Sequence, residues 1–343
     1  MRLLHETMGI TITTEEEIND LLEKLPKLKS EIGKIIIGQD DAIEQILIAL
    51  LAGGHALLEG VPGLAKTLMV RILAKTIDVQ FKRIQFTPDL MPSDILGTEL
   101  LEEDHNTGKK FFKFNKGPIF SNILLADEIN RTPPKTQAAL LEAMQEYEVT
   151  YAGNTYPLAK PFFILATQNP IEQAGTFPLP EAQLDRFLLY IKIGYPNEEE
   201  EEKVLTATTG GDNVEVNQIL CADEVIKLQS LVREITISED LIRYVNKLVR
   251  STRPDTTDLE YVKKWVRWGA GPRAGQSMIM TAKARALLQN RFAVTEEDIQ
   301  KVVFPVLRHR MLLNFRAEAE RITTDKVTST IAGNIKVAVD LKR

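Results

Sequence analysis

The chain has 343 residues, a formal net charge of −6 and 44% hydrophobic residues. These values suit a globular chain larger than one usual domain, and they exclude the strongly basic balance of an overall nucleic-acid binder, though not a local basic hairpin. A single cysteine, Cys221, excludes a disulfide framework or a cysteine zinc cluster. The longest apolar run, residues 46–54, falls far short of the roughly 18 residues of a membrane helix. The opening residues turn acidic without a secretory apolar region, so a cytoplasmic protein is expected.

Residues 15–30 read as a charged amphipathic helix and 40–53 as a second helix with a wider apolar face. His55 to Gly60 is a short apolar run ending in glycine, after which helical period resumes, giving strand, loop, helix. The same alternation recurs. Apolar runs of strand length occupy 79–87, 120–128, 161–169 and 187–195, with helical segments such as 132–146 between several of them. This texture predicts an α/β fold with a parallel sheet covered on both faces and function at the carboxyl ends of its strands. Two interruptions read as β-hairpins: 97–114, with arms around Asn106-Thr107-Gly108, and 147–160, around Ala152-Gly153-Asn154. The first carries Lys109, Lys110 and Lys113 among Phe111, Phe112 and Phe114, and is expected to pack one apolar face on the core. After Pro196 the chain turns to a glutamate run and then helical segments. The expected division is an α/β core over 1–196 and a helical domain over 197–343.

The loop Gly60-Val61-Pro62-Gly63-Leu64-Ala65-Lys66-Thr67 matches the phosphate-binding pattern except that Ala65 replaces the second glycine. In such a loop backbone N–H groups wrap a β-phosphate at a helix N-terminus, Lys66 reaches the β- and γ-phosphates, and Thr67 offers a hydroxyl to Mg²⁺. Ala65 is expected to open the helix without positive φ. Asp127, at the end of a buried run, suits a carboxylate that holds Mg²⁺ through water, and Glu128 suits the base that orients the attacking water. Asn169 ends the next apolar run. Were that strand to lie between those carrying the loop and Asp127, Asn169 could reach the γ-phosphate or the water.

Taken in order, residues 53–67, 124–146, 162–187 and 268–278 closely resemble the MoxR family of AAA+ ATPases over nearly the whole chain. The resemblance implies an AAA+ core with a five-stranded parallel sheet, two inserted hairpins and an all-α lid. It makes Lys66 and Thr67 the Walker A pair, Asp127 and Glu128 the Walker B pair, and Asn169 sensor 1. Arg186 becomes an arginine finger acting on the neighbouring subunit of a closed ring, a hexamer in this family, and Arg273 becomes sensor 2, in cis or in trans. Ile37-Gly38-Gln39 falls where the adenine is held, while Arg131 either lines the interface or is a solvated helix-initial residue. The implied function is ATP-driven, Mg²⁺-dependent remodelling or maturation of client complexes, metal insertion among them, with a von Willebrand A domain partner. Two other readings remain: a nucleic-acid motor using the first hairpin, which the acidic balance disfavours, and a scaffold switched by nucleotide binding.

Overall fold

The computed structural model describes residues 14–103, 105–106, 108–171, 175–210 and 215–336. Thr107 of the first hairpin turn and residues 172–174 of the family-like stretch lie outside the described residues.

The strands of the first 192 residues are β1 (Ala56–Glu59), β2 (Phe81–Gln85), β3 (Gly97–Glu103), β4 (Lys110–Lys116), β5 (Ile123–Asp127), β6 (Glu148–Tyr151), β7 (Asn154–Pro157), β8 (Phe163–Gln168) and β9 (Leu189–Lys192). Five of them make one parallel sheet in the order β2-β5-β8-β1-β9. The helices of this part are α1 (Glu15–Gly33), α2 (Asp40–Leu51), α3 (Lys66–Ile77), α4 (Pro92–Leu96), α5 (Pro134–Glu146) and α6 (Glu181–Leu184). Then follow α7 (Glu198–Thr209), α8 (Ala222–Glu234), α9 (Glu239–Ser251), α10 (Glu260–Trp265), α11 (Pro272–Leu288), α12 (Glu296–Leu307), α13 (Phe315–Ala319) and α14 (Thr324–Asn334). A two-stranded ribbon, Val266–Trp268 with Leu312–Leu313, interrupts these last helices.

Side-chain alternation divides the sheet between two cores. Ala56, Leu58, Ile123, Leu125, Phe163 and Leu165 enter a cluster with α1, α2, α3 and the later helices. Leu57, Leu124, Ala126, Ile164 and Ala166 face the other way, among residues of α4 and α5. Buried Leu21, Leu25, Leu28 and Ile32 form the inward stripe of α1, whose start Thr14 caps by accepting from Glu17 N at 3.3 Å.

Strand order and register fix the site. Glu59 stands beside both Gln168 and Lys192, Ala126 beside Ala166, and Gln85 beside Asp127. The phosphate-loop pattern, Asp127 and Asn169 therefore leave the sheet at one edge, and β8 does lie between β1 and β5. Residues 185–188, which lead into the amino end of β9, lie at the opposite edge.

The first hairpin departs from the sequence expectation. Pairing sets Leu101 opposite Phe112 on one face, and Leu100 opposite Lys113 and Glu102 opposite Phe111 on the other. Apolar residues thus fall on both faces, and Leu100, Leu101, Phe111 and Phe112 are all exposed, so neither face of the outer hairpin packs on the core. Leu101 is 57% and Phe112 70% exposed. Only the base is anchored, where the Phe114 ring stacks on Tyr156 at 4.7 Å and Tyr151 at 5.0 Å, both from the β6–β7 hairpin. That second hairpin closes on Ala152 and Gly153, both at positive φ, as a two-residue turn needs; Asn154 already pairs with Tyr151.

Candidate active site

From the end of β1 the chain passes through Gly63 at φ +89° and Ala65 at φ +54°, then enters α3 at Lys66. The expectation for Ala65 is therefore corrected. Curling the loop amides toward one concavity requires a left-handed step just before the helix, and Ala65 takes it despite its Cβ, at a cost of about 1–2 kcal/mol. The start of α3 has no side-chain cap and no acidic residue in its first turn, which leaves a positive helix terminus suited to an anion. Lys66 Nζ donates to Gly60 O. Burial lowers the Lys66 pKa, opposed by the carboxylates of Asp127, Glu128 and Glu59.

The buried Asp127 is held from two sides. Its Oδ2 accepts from Arg83 Nε at 3.1 Å and Arg83 Nη2 at 2.7 Å, and its Oδ1 accepts from Thr167 Oγ1 at 2.6 Å. The same hydroxyl accepts from Glu128 N at 2.8 Å. Glu128 itself sits at φ +58°, a sparsely populated conformation for a side-chain-bearing residue. Its Oε2 accepts from Gln85 Nε2 at 2.8 Å and from Arg131 Nη1 at 3.0 Å, so Arg131 pairs with this glutamate within its own chain. Asn169 is buried just past β8 and its Oδ1 accepts from Ile171 N at 3.2 Å.

Ile37, Gly38 and Gln39 form the half-buried linker before α2. Gly38 is at φ +73°, and a Cβ there would lie 2.8 Å from Glu200 Oε2 and 2.9 Å from Pro196 Cβ; Gln39 Nε2 donates to Gly194 O at 3.0 Å. These contacts bring the linker against the chain leaving β9, beyond the same sheet edge as Gly60.

Arg186 and Arg273 are elsewhere. Leu188 N donates to His55 O at 2.8 Å, which fixes this segment at the amino end of β1. Arg186 Nη1 donates to Leu141 O of α5 at 2.7 Å, and Arg273 Nη1 meets Asp185 Oδ2 at 3.1 Å. The four residues of β1, about 13 Å at 3.3 Å per residue, separate the backbone that carries Arg186, and the Asp185 that Arg273 meets, from the phosphate-loop edge of the same chain.

Sequence reasoning missed Arg83 and Gln85 as partners of Asp127 and Glu128. They alternate with the buried Ile84 on β2, but that pattern acquires meaning only once β2 is known to flank β5. It also passed over Thr167, whose hydroxyl joins the two acidic residues.

The model for the ATPase family associated with various cellular activities (AAA) matches residues 55–189, and that for the AAA lid domain matches 260–331. The chain is 44% identical over 302 residues to Chaperone MoxR1 of Mycobacterium tuberculosis, covering 88% of this chain and 79% of that protein. It is 43% identical over 321 residues to the uncharacterised protein YeaC of Bacillus subtilis, covering 93% and 97%. A crystal structure from Cytophaga hutchinsonii, described as a candidate ATPase, superposes with a TM-score of 0.87 at 45% identity, covering 95% of this chain and 98% of that one. By fold, ordered site and relatives alike, the chain belongs to the MoxR family of AAA+ ATPases.

Proposed function

We propose that the protein hydrolyses ATP at a site completed by a second copy of itself. The observation that carries this reading is the split of the site residues between two sheet edges. Lys66, Thr67, Asp127, Glu128 and Asn169 gather at the carboxyl edge, while Arg186 and Arg273 stand at the amino edge. Phosphoryl transfer needs positive charge on the transferring oxygens, and a guanidinium supplied by a partner accelerates it roughly 10³-fold or more. A chain whose own arginines face away meets this need in a closed ring, a hexamer on family grounds, where each amino edge faces the next subunit's nucleotide. Arg273 then acts in trans with Arg186, and we propose a cytoplasmic ring.

Within one subunit the roles follow from chemistry. The amides of Gly60–Thr67 and Lys66 hold the β- and γ-phosphates, and Ile37, Gly38 and Gln39 hold the adenine. Thr67 and Asp127 suit Mg²⁺, since one hydroxyl and one carboxylate leave room for phosphate oxygens and the waters this ion keeps. Bound there, Mg²⁺ would neutralise charge on the β- and γ-oxygens. Glu128 orients and deprotonates the attacking water, and Asn169 fixes the γ-phosphate or that water. Residues 1–196 form the ATPase core and 197–343 the lid.

The work done with ATP is read as remodelling of a client protein complex, assisted by a von Willebrand A domain partner, with metal insertion one such maturation step. The first hairpin supports a protein client. Its exposed Leu100, Leu101, Phe111 and Phe112 offer apolar contact, and over residues 97–116 its four lysines, Lys109, Lys110, Lys113 and Lys116, are equalled in number by the acidic residues Glu99, Glu102, Glu103 and Asp104. Lys113 pairs with Glu102 at 3.0 Å. A strand-binding motor needs uncompensated positive charge on such a surface.

Two experiments test the reading. Glu128→Gln is expected to retain ATP and lose hydrolysis by about 10²-fold or more; a wild-type rate no faster than that of Glu128→Gln would reduce the protein to a nucleotide-switched scaffold. Arg186→Ala has an intact nucleotide edge and Lys66→Ala an intact finger edge, so each alone is expected to be slow and their mixture faster than either. A mixture that stays as slow as its components, with assembly intact, removes Arg186 from the site.

A further inference from the structure

Arg310 lies three residues beyond α12, and its side chain is 2% exposed. Every arm of its guanidinium is used. Nε donates to Asp185 Oδ1 at 2.8 Å, Nη1 to Val306 O at 2.6 Å and Leu188 O at 3.2 Å, and Nη2 to Phe187 O at 2.8 Å and Ser277 Oγ at 3.2 Å. A planar five-donor fork is what satisfies so many acceptors at once, and lysine has neither the plane nor the number. Three of the acceptors, on Asp185, Phe187 and Leu188, flank Arg186. The other two belong to α11, which begins beside Arg273, and to α12. Neighbouring side chains reinforce the grip: His309 Nε2 lies 3.0 Å from Phe187 O, and Arg308 Nη1 donates to Tyr190 O at 2.7 Å. The second oxygen of Asp185 takes Arg273 at 3.1 Å. One carboxylate thus joins a buried, fully occupied guanidinium to an exposed one.

We infer that Arg310 and Asp185 are positioning residues that set Arg186 and Arg273 for the neighbouring subunit's nucleotide. The inference rests on the reading that these two arginines act in trans. Arg310 fixes the backbone on both sides of Arg186 to the lid helices, and through Asp185 it aims Arg273 from the same edge. A shift of the lid is therefore passed to the finger that serves the next site. Misplacement of a catalytic group by about 1 Å can cost about 10²-fold in rate.

The test uses the full-length protein carrying Asp185→Asn, which keeps shape and removes the charge that pairs both arginines. Assembly mass and ATP affinity are expected to stay within about twofold of wild type while kcat falls about 10-fold or more. Added Lys66→Ala subunits, whose finger edge is intact, are expected to restore turnover to the Asp185→Asn sites. The double variant Lys66→Ala/Asp185→Asn is expected not to. An unchanged kcat, or a mixture that rescues Arg186→Ala but not Asp185→Asn, overturns the inference and leaves the trans site standing. A mixture that rescues neither overturns both. Should Asp185→Asn fail to assemble, Ser277→Ala removes one acceptor of Arg310 alone; a lowered kcat rescued by Lys66→Ala supports the inference, and an unchanged kcat overturns it.

Discussion

Replacing Thr167 by Val tests the joint between the two acidic residues. The side chain keeps its branched shape and loses one oxygen. That oxygen donates to Asp127 Oδ1 at 2.6 Å and accepts from Glu128 N at 2.8 Å, and the residue is fully buried. A hydrogen bond to a carboxylate contributes about 1.5–3 kcal/mol, and a buried N–H left without a partner costs about 1–3 kcal/mol. Arg83 still holds the other Asp127 oxygen and water reaches the edge, so the expected loss is about 3 kcal/mol. The Glu128 backbone is at φ +58°, a conformation that persists only where its surroundings impose it, and the lost bond is part of that restraint. Released, Glu128 shifts and hydrolysis falls as well. The assay is urea unfolding of the nucleotide-free protein beside steady-state ATPase, with Thr167→Ser, which keeps the oxygen, as control. A loss below about 1 kcal/mol together with wild-type turnover would refute the bridging role of this hydroxyl.

The parts of the site that sit at strand ends were legible from the chain alone. Gly60–Thr67, Asp127 and Asn169 each close an apolar run, and a parallel sheet sends such ends to one edge by construction. What was not legible depends on neighbours that sequence does not order. Arg83 matters because β2 flanks β5, and Arg310 because residues 125 positions apart meet across the lid. Ala65 misled for a local reason. The sequence shows a residue that disfavours positive φ, while the conformation is imposed by the loop's need to turn its amides inward. The first hairpin misled because counting apolar residues does not reveal cross-strand register, and register spread them over both faces.

Ala65→Gly is expected to raise stability by about 0.5–1 kcal/mol in urea unfolding, since relief of the left-handed Cβ clash exceeds the added chain entropy. A destabilised variant would mean that the residue is not held at φ +54° in solution. Phe112→Ala, at a 70% exposed position, is expected to leave the unfolding free energy within about 0.5 kcal/mol of wild type. A marked loss of stability would place that ring in a packed contact. The last expectation concerns pH. His55 is wholly buried, with Nδ1 accepting from Ile164 N at 3.1 Å and Nε2 facing Met144 O at 3.1 Å, so the ring is neutral with its proton on Nε2. Burial lowers its pKa to about 4, only partly opposed by the Met144 carbonyl. His309 is lowered too, by burial and by the adjacent Arg310 and Arg308 charges. A base whose folded pKa lies below its unfolded value binds its proton preferentially in the unfolded chain. Stability is therefore full above the unfolded value near 6.5, is lost as pH falls, and for His55 levels off near 4, at a cost of about 3 kcal/mol. Urea midpoints between pH 7.5 and 4.5 should fall accordingly, and His55→Gln, which has no proton to take up, should flatten part of that slope. A variant with the full wild-type slope would show that His55 is not the group being titrated.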